Sequence, residues 1–167
     1  MSEKKEIQVY TSYFYKIRFF DEHIIPFSTA MWDPKWYHDN KGPLHCFKDK
    51  RNVINGLKAK MLVPGISLSG LCNGPDSCSF KDSSICEFLK GYENQINRYD
   101  AIKIIDYLKK VGQQASIDLK IFDKDDKENL DKIIPALIFF ETPQNLCSER
   151  IKIVEWLARY NIITKEF

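Results

Sequence analysis

The sequence has no apolar run near the ~18 residues that a bilayer-spanning helix needs, which excludes a helical membrane protein. Its opening Met-Ser-Glu-Lys-Lys-Glu has no apolar core of the kind a secretory signal carries, so a cytoplasmic location is expected. It lacks a charge excess: Lys+Arg 25 against Asp+Glu 23 leave a formal +2 over 167 residues. A coat of basic charge for wrapping nucleic acid is therefore missing, and direct nucleic-acid binding is disfavoured. Glycine and proline are sparse, at seven each, and no repeat or low-complexity tract occurs. There is no G-x-G-x-x-G, no Walker-type loop, no G-x-S-x-G and no H-E-x-x-H. These gaps argue against dinucleotide oxidoreductases, P-loop NTPases, serine hydrolases and zincins. The histidines, His23, His38 and His45, do not stand at metal-ligand spacing.

What is present suits one globular domain over residues 1–167: 44% hydrophobic and 29% charged residues, with enough length for a sizeable core. The five cysteines, Cys46, Cys72, Cys78, Cys86 and Cys147, are odd in number, which fits a reducing compartment rather than a disulfide scaffold. Cys72, Cys78 and Cys86 crowd an irregular loop over residues 66–86 at spacing C-x5-C-x7-C. That is not the tight C-x2-C of common zinc sites. Two readings stand: a zinc or iron–sulfur site completed by a ligand from elsewhere, or thiols packed as small apolar groups.

Ile7–Tyr13 and His23–Ala30 read as strands, the second at an edge or bulge because of Pro26. Phe14–Phe20 between them reads as a packed loop or short helix. Ten of the chain's 22 aromatics fall within Tyr10–Tyr37, so most must be core and some could wall a pocket. Lys48, Lys50, Arg51, Lys58 and Lys60 make a locally basic stretch, either a solvated face or an attraction for a phosphorylated ligand. A helical stripe runs from Cys86 to Gln114, split near Asn97–Asp100 with Asp100 capping the second helix and Gly112 ending it. Ile117, Leu119, Ile121 and Phe122 follow in a pattern open to a strand. Ile133–Glu141 is a continuous apolar run, the mark of a strand buried on both faces of a parallel sheet. A helix over 149–160 with an apolar face, a C-cap at Asn161 and a last short strand over Ile162–Phe167 complete the chain. The fold class expected is three-layer α/β, a mostly parallel sheet flanked by helices.

In open α/β sheets ligands bind beyond the carboxyl ends of the strands, where free helix-start N–H groups favour anions. Here that junction is Glu141–Arg150. Ser148 can cap the helix or donate to an anion. Arg150 can grip phosphate bidentately, or bridge to Glu141 or Glu149. Glu141 is the candidate general base or nucleophile, with anchoring of Arg150 as its plainer role. Cys147 at a helix start could be an activated thiol or a packed one. Thr11, Ser12 and Tyr13, at the end of the first strand, offer hydroxyls to phosphate or ribose, or simply satisfy a turn.

The blocks VYTSYF, with Val9–Phe14, and Pro34–Tyr37, together with Glu141–Leu157, resemble the domain-of-unknown-function family numbered 488, found in bacteria and phages. The resemblance covers both ends of the chain and implies a compact three-layer α/β domain. The family's C-terminal Cys-His-Arg is here Cys147-Ser148-Glu149-Arg150, so the histidine is missing. Glu141, Cys147 and Arg150 are the positions that carry over. The family's phage and mobile-element setting implies a link to nucleic-acid modification or phage–host conflict. Sequence and resemblance together suggest a small nucleotide-like or phosphorylated ligand, with a non-enzymatic interaction module as the alternative.

Overall fold

The structure is a computed structural model; it describes residues 6–38, 54, 56–68, 87–140 and 148–167. Four parallel strands, β1 (Val9–Tyr13), β2 (Ile24–Ser28), β3 (Ile134–Phe139) and β4 (Thr164–Glu166), form one sheet in the order β2-β3-β1-β4. The helices are α1 (Glu87–Ile96), α2 (Ala101–Asp118), α3 (Lys127–Asp131) and α4 (Arg150–Arg159). No described helix is long and apolar enough to cross a membrane.

Alternation along each strand sorts the side chains onto two faces. Val9, Ile25, Phe27, Leu137 and Phe139 share one face with residues of α1, α2 and α4, among them Tyr92, Leu108 and Trp156. Ala136 and Ile138 share the other with Phe14, Ile17, Phe20 and Tyr37, which come from 3-10 turns rather than α-helices. β3, between β2 and β1, is covered on both faces, which is why its sequence is an unbroken apolar run. β2 is an edge of the four-stranded sheet, where Pro26 costs no central hydrogen bond.

Asp100 caps α2 as its sequence position implies, its carboxylate accepting from the N–H groups of Ile102 and Lys103. Gly112, however, does not end α2, which runs on to Asp118. A Cβ at Gly112 would sit 3.3 Å from Ile25 Cγ1 and 3.4 Å from Ile133 Cγ2. The glycine marks close approach of helix to sheet, not a stop. Nor do Ile117–Phe122 form a strand: α2 and a turn occupy them, with the N–H of Ile121 donating to the Ser116 carbonyl. The charged stretch beyond contains the short helix α3, capped by Asp126.

The topology fixes where a crevice opens. The connection from β1 to β2 packs on the 3-10 face, through Phe14, Ile17 and Phe20. The connection from β3 to β4 packs on the helical face, through α4 residues Ile153, Trp156 and Leu157. β1 and β3 are adjacent, and their outgoing chains leave to opposite faces. The carboxyl ends of β1 and β3 therefore form the switch point at which α/β sheets bind ligands.

Candidate functional site

Thr11, Ser12 and Tyr13 occupy the end of β1 at this switch point, and Ser148 and Arg150 stand at the start of α4. Thr11, Ser12, Ser148 and Arg150 are buried, and Tyr13 is half-buried. Glu141, Cys147 and the loop cysteines Cys72, Cys78 and Cys86 lie outside the described residues, as do Cys46, Lys48, Lys50 and Arg51. Among the described residues no group of three or more His, Cys, Asp or Glu side chains is placed to hold a metal ion.

Arg150 is 6% exposed and fills the crevice from the helical face. Its Nε lies 2.8 Å from Glu166 Oε1, its Nη2 donates to the Ser12 carbonyl at 3.0 Å, and its Cζ stands 4.7 Å from the Phe139 ring centroid. The carboxylate meeting it comes from β4, a partner that lies beside Thr11 because β4 pairs with β1. Thr11 Oγ1 donates to the same Glu166 oxygen at 3.3 Å. Burial raises the Glu166 carboxyl above its ordinary range, and the pull of Arg150 only partly offsets that. The 2.8 Å contact and the raised proton affinity are compatible: desolvation outweighs an otherwise favourable pair. Ser12 Oγ, on the opposite face, is fully buried with no hydrogen-bond partner among the described residues.

A second polar cluster sits on the same rim, and sequence reasoning missed it. Ser28 ends β2 in register with Ile138, which is in turn in register with Ser12. Two strand spacings put the two serines ~10 Å apart on one face. Beyond β2, residues 57–59 add to the sheet edge: the N–H of Ser28 donates to the Leu57 carbonyl at 3.0 Å, and that of Ala59 to the Ser28 carbonyl at 2.9 Å. This pairing brings Lys58 alongside Ser28. Pro34 opens the 3-10 turn Lys35–Tyr37, and the buried Tyr37 hydroxyl donates to the Leu57 carbonyl, with the Pro26 carbonyl 3.3 Å away. Burial, and then the nearby Asp33 carboxylate, raise the Tyr37 hydroxyl far above its ordinary value, so it remains a donor.

Asp33 is the centre of this cluster. Its side chain is 2% exposed. Oδ1 accepts from Ser28 Oγ, and Oδ2 accepts from His38 Nε2 at 2.6 Å and from Lys58 Nζ at 3.2 Å. A carboxylate accepts only, so Nε2 carries a proton, and in the neutral ring Nδ1 is then the nitrogen with the lone pair. Nδ1 has no hydrogen-bond partner among the described residues, and the His38 side chain is 52% exposed. Gly56, at φ +83°, lies beneath it; a Cβ there would come within 3.5 Å of Nδ1. Trp32, the residue before Asp33, is 79% exposed.

An open hollow of about 1100 Å³ lies at the opposite end of the sheet, lined by Gln8, Ile105, Lys109, Asp131, Ile133 and Tyr160 among others. Two of its lysines are engaged within it: Lys109 Nζ donates to the Asp131 carbonyl at 2.8 Å, and Lys132 Nζ lies 3.5 Å from Glu128 Oε1. Comparison of the chain with protein-family models, with curated proteins and with solved structures finds no match in any of the three.

Proposed function

We propose that the carboxyl rim of the sheet binds a small nucleotide-like, phosphorylated ligand, with Asp33, His38 and Lys58 as its polar contacts and Trp32 as a stacking ring. The observation that carries this reading is the Asp33 carboxylate, buried yet joining a hydroxyl, an imidazole and an ammonium where an all-parallel sheet ends. Lys58 is 26% exposed and keeps N–H groups beyond its Asp33 contact for an anionic oxygen. The exposed indole offers the flat apolar surface on which a base stacks. The resemblance of both chain ends to family 488 supports the same scaffold and the same phage-linked setting. Arg150 acts in this reading from beneath the site, holding β1 and β4 together, rather than as an open phosphate grip.

Isothermal calorimetry with AMP, 3′,5′-cyclic AMP and inorganic phosphate tests the proposal. Binding of a nucleotide that weakens by about tenfold in Lys58→Ala, roughly one charge-assisted hydrogen bond, supports it. Absence of heat with all three probes refutes it. A non-enzymatic interaction surface has one observation in its favour. Tyr15 and Phe19 stand exposed on the 3-10 turn, with the Arg18 guanidinium 4.0 Å from the Tyr15 centroid and Lys16 Nζ 5.6 Å from that of Phe19.

A further inference from the structure

Resting on the binding reading above, we infer that the rim site is hydrolytic: Asp33 and His38 form an acid–base dyad that cleaves a phosphodiester of the bound ligand. Two features point to a base rather than a structural histidine. A buried carboxylate fixes the tautomer of the neutral ring, so the basic nitrogen is Nδ1. That nitrogen is left without a hydrogen-bond partner among the described residues, in a side chain half open to water. A histidine serving only to neutralise Asp33 needs none of this, because Lys58 and Ser28 already donate to that carboxylate.

The charge on offer selects the ester. Among the described residues the cluster offers one ammonium, Lys58, already shared with Asp33, which suits the single negative charge of a diester better than the double charge of a monoester. Trp32 places a flat exposed ring next to the dyad in sequence, which favours an ester of a nucleoside.

The step is a displacement at phosphorus. A water oxygen forms the new P–O bond while His38 Nδ1 takes its proton. The P–O bond to the leaving alcohol breaks, and that oxygen receives the proton back from the imidazolium, directly or through solvent. Asp33 stabilises the transient imidazolium, and Lys58 stabilises the charge on the non-bridging oxygens. Water and diester become monoester and alcohol, with no change of oxidation state.

The test uses the full chain with bis(4-nitrophenyl) phosphate as the turnover probe, 4-nitrophenyl phosphate as the monoester control and cyclic AMP as the binding probe. The wild type is expected to release 4-nitrophenolate from the diester faster than from the monoester. His38→Gln is expected to lower that rate by about 10²–10⁴-fold, the usual worth of a general base. The acid limb of the rate–pH profile disappears in that variant. Among the described residues the charged and titratable groups facing His38 are Asp33, Lys58 and Tyr37, so Lys58→Gln must retain the limb. Imidazole restores part of the rate to His38→Gly, an effect that a merely structural role would not produce. Cyclic AMP binding without diester turnover overturns the hydrolytic inference and leaves the binding reading intact. Equal turnover in wild type and His38→Gln also overturns it. Loss of both nucleotide binding and turnover in the wild type overturns both.

Discussion

Replacing Arg150 with methionine separates an internal brace from an open ligand grip. The guanidinium is 6% exposed, 2.8 Å from Glu166 and 3.0 Å from the Ser12 carbonyl. Methionine keeps much of the apolar stem and its contact with Phe139, but the Ser12 carbonyl loses its guanidinium donor and the carboxylate loses its cation, keeping Thr11 as a donor. Breaking a fully buried pair on one side costs about 3–5 kcal/mol. The Glu166 side chain is 32% exposed, so water recovers part of that, and a loss of roughly 2–3 kcal/mol is expected. Against a total stability of about 5–15 kcal/mol for a domain of this size, that is a large fraction. The loss also depends on pH, and its sign follows from Glu166. Burial raises that carboxyl in the folded state, so its contribution favours folding while it is protonated and fades as pH rises through the raised value. Without Arg150 the opposing pull is gone and the carboxyl rises further. The deficit of Arg150→Met should therefore be largest near neutral pH and shrink as pH falls towards the ordinary glutamate value, about 4.3. Urea unfolding of the wild type, Arg150→Met and Arg150→Met/Glu166→Gln at both pH values reads this directly. The double variant is expected to recover part of the neutral-pH loss. A deficit below about 0.5 kcal/mol, the level of an ordinary surface substitution, with no pH trend would refute the brace.

Two further predictions concern the frame that holds the rim. Gly112→Ala should destabilise the protein: the helix-propensity gain of about 1 kcal/mol is outweighed by overpacking of about 1–3 kcal/mol against the buried Ile25 and Ile133. Thermal unfolding checks it, with a smaller penalty in an Ile25→Ala background; a raised Tm in the wild-type background sinks the close-approach argument. Asp100→Ala removes the cap of α2 and should cost about 1 kcal/mol in urea unfolding, whereas an unchanged midpoint means the cap is redundant.

The scaffold was legible where a local signal coincided with the tertiary demand. β3 reads as buried on both faces because it is; Asp100 caps a helix because its side chain serves backbone N–H groups two and three residues away. Gly112 misled because its meaning lies in Ile25 and Ile133, side chains of other elements that no local pattern displays. The alternation at Ile117–Phe122 misled because two of those residues merely finish α2 and the rest turn back on Ser116. Arg150 reads in the sequence as a phosphate grip or a bridge to Glu141 or Glu149, but its Glu166 partner is set by β4 lying beside β1, a pairing invisible in the intervening sequence. The Asp33 cluster was least legible. Asp33 and His38 look like ordinary turn residues, and Lys58 like one of several surface lysines. Only the bridge from Ser28 to Lys58 brings them together.

The two polar clusters of the rim also differ in what they leave over, and the proposed division of labour between them rests on that difference. In the Arg150 cluster the guanidinium is under the surface, held by Glu166 and the Ser12 carbonyl. A ligand could reach it only by displacing a carboxylate that burial has already made costly to leave charged. In the Asp33 cluster the carboxylate is equally hidden, but it holds an imidazole that is half exposed and whose second nitrogen has no hydrogen-bond partner among the described residues. A closed pair can only brace; a buried carboxylate behind a half-exposed histidine can pass a proton. Two cations that look alike in the sequence thus take separate roles in the proposed reading: Arg150 braces β1 and β4, and Lys58, paired with Asp33 at the sheet edge, is the cation proposed to contact the ligand.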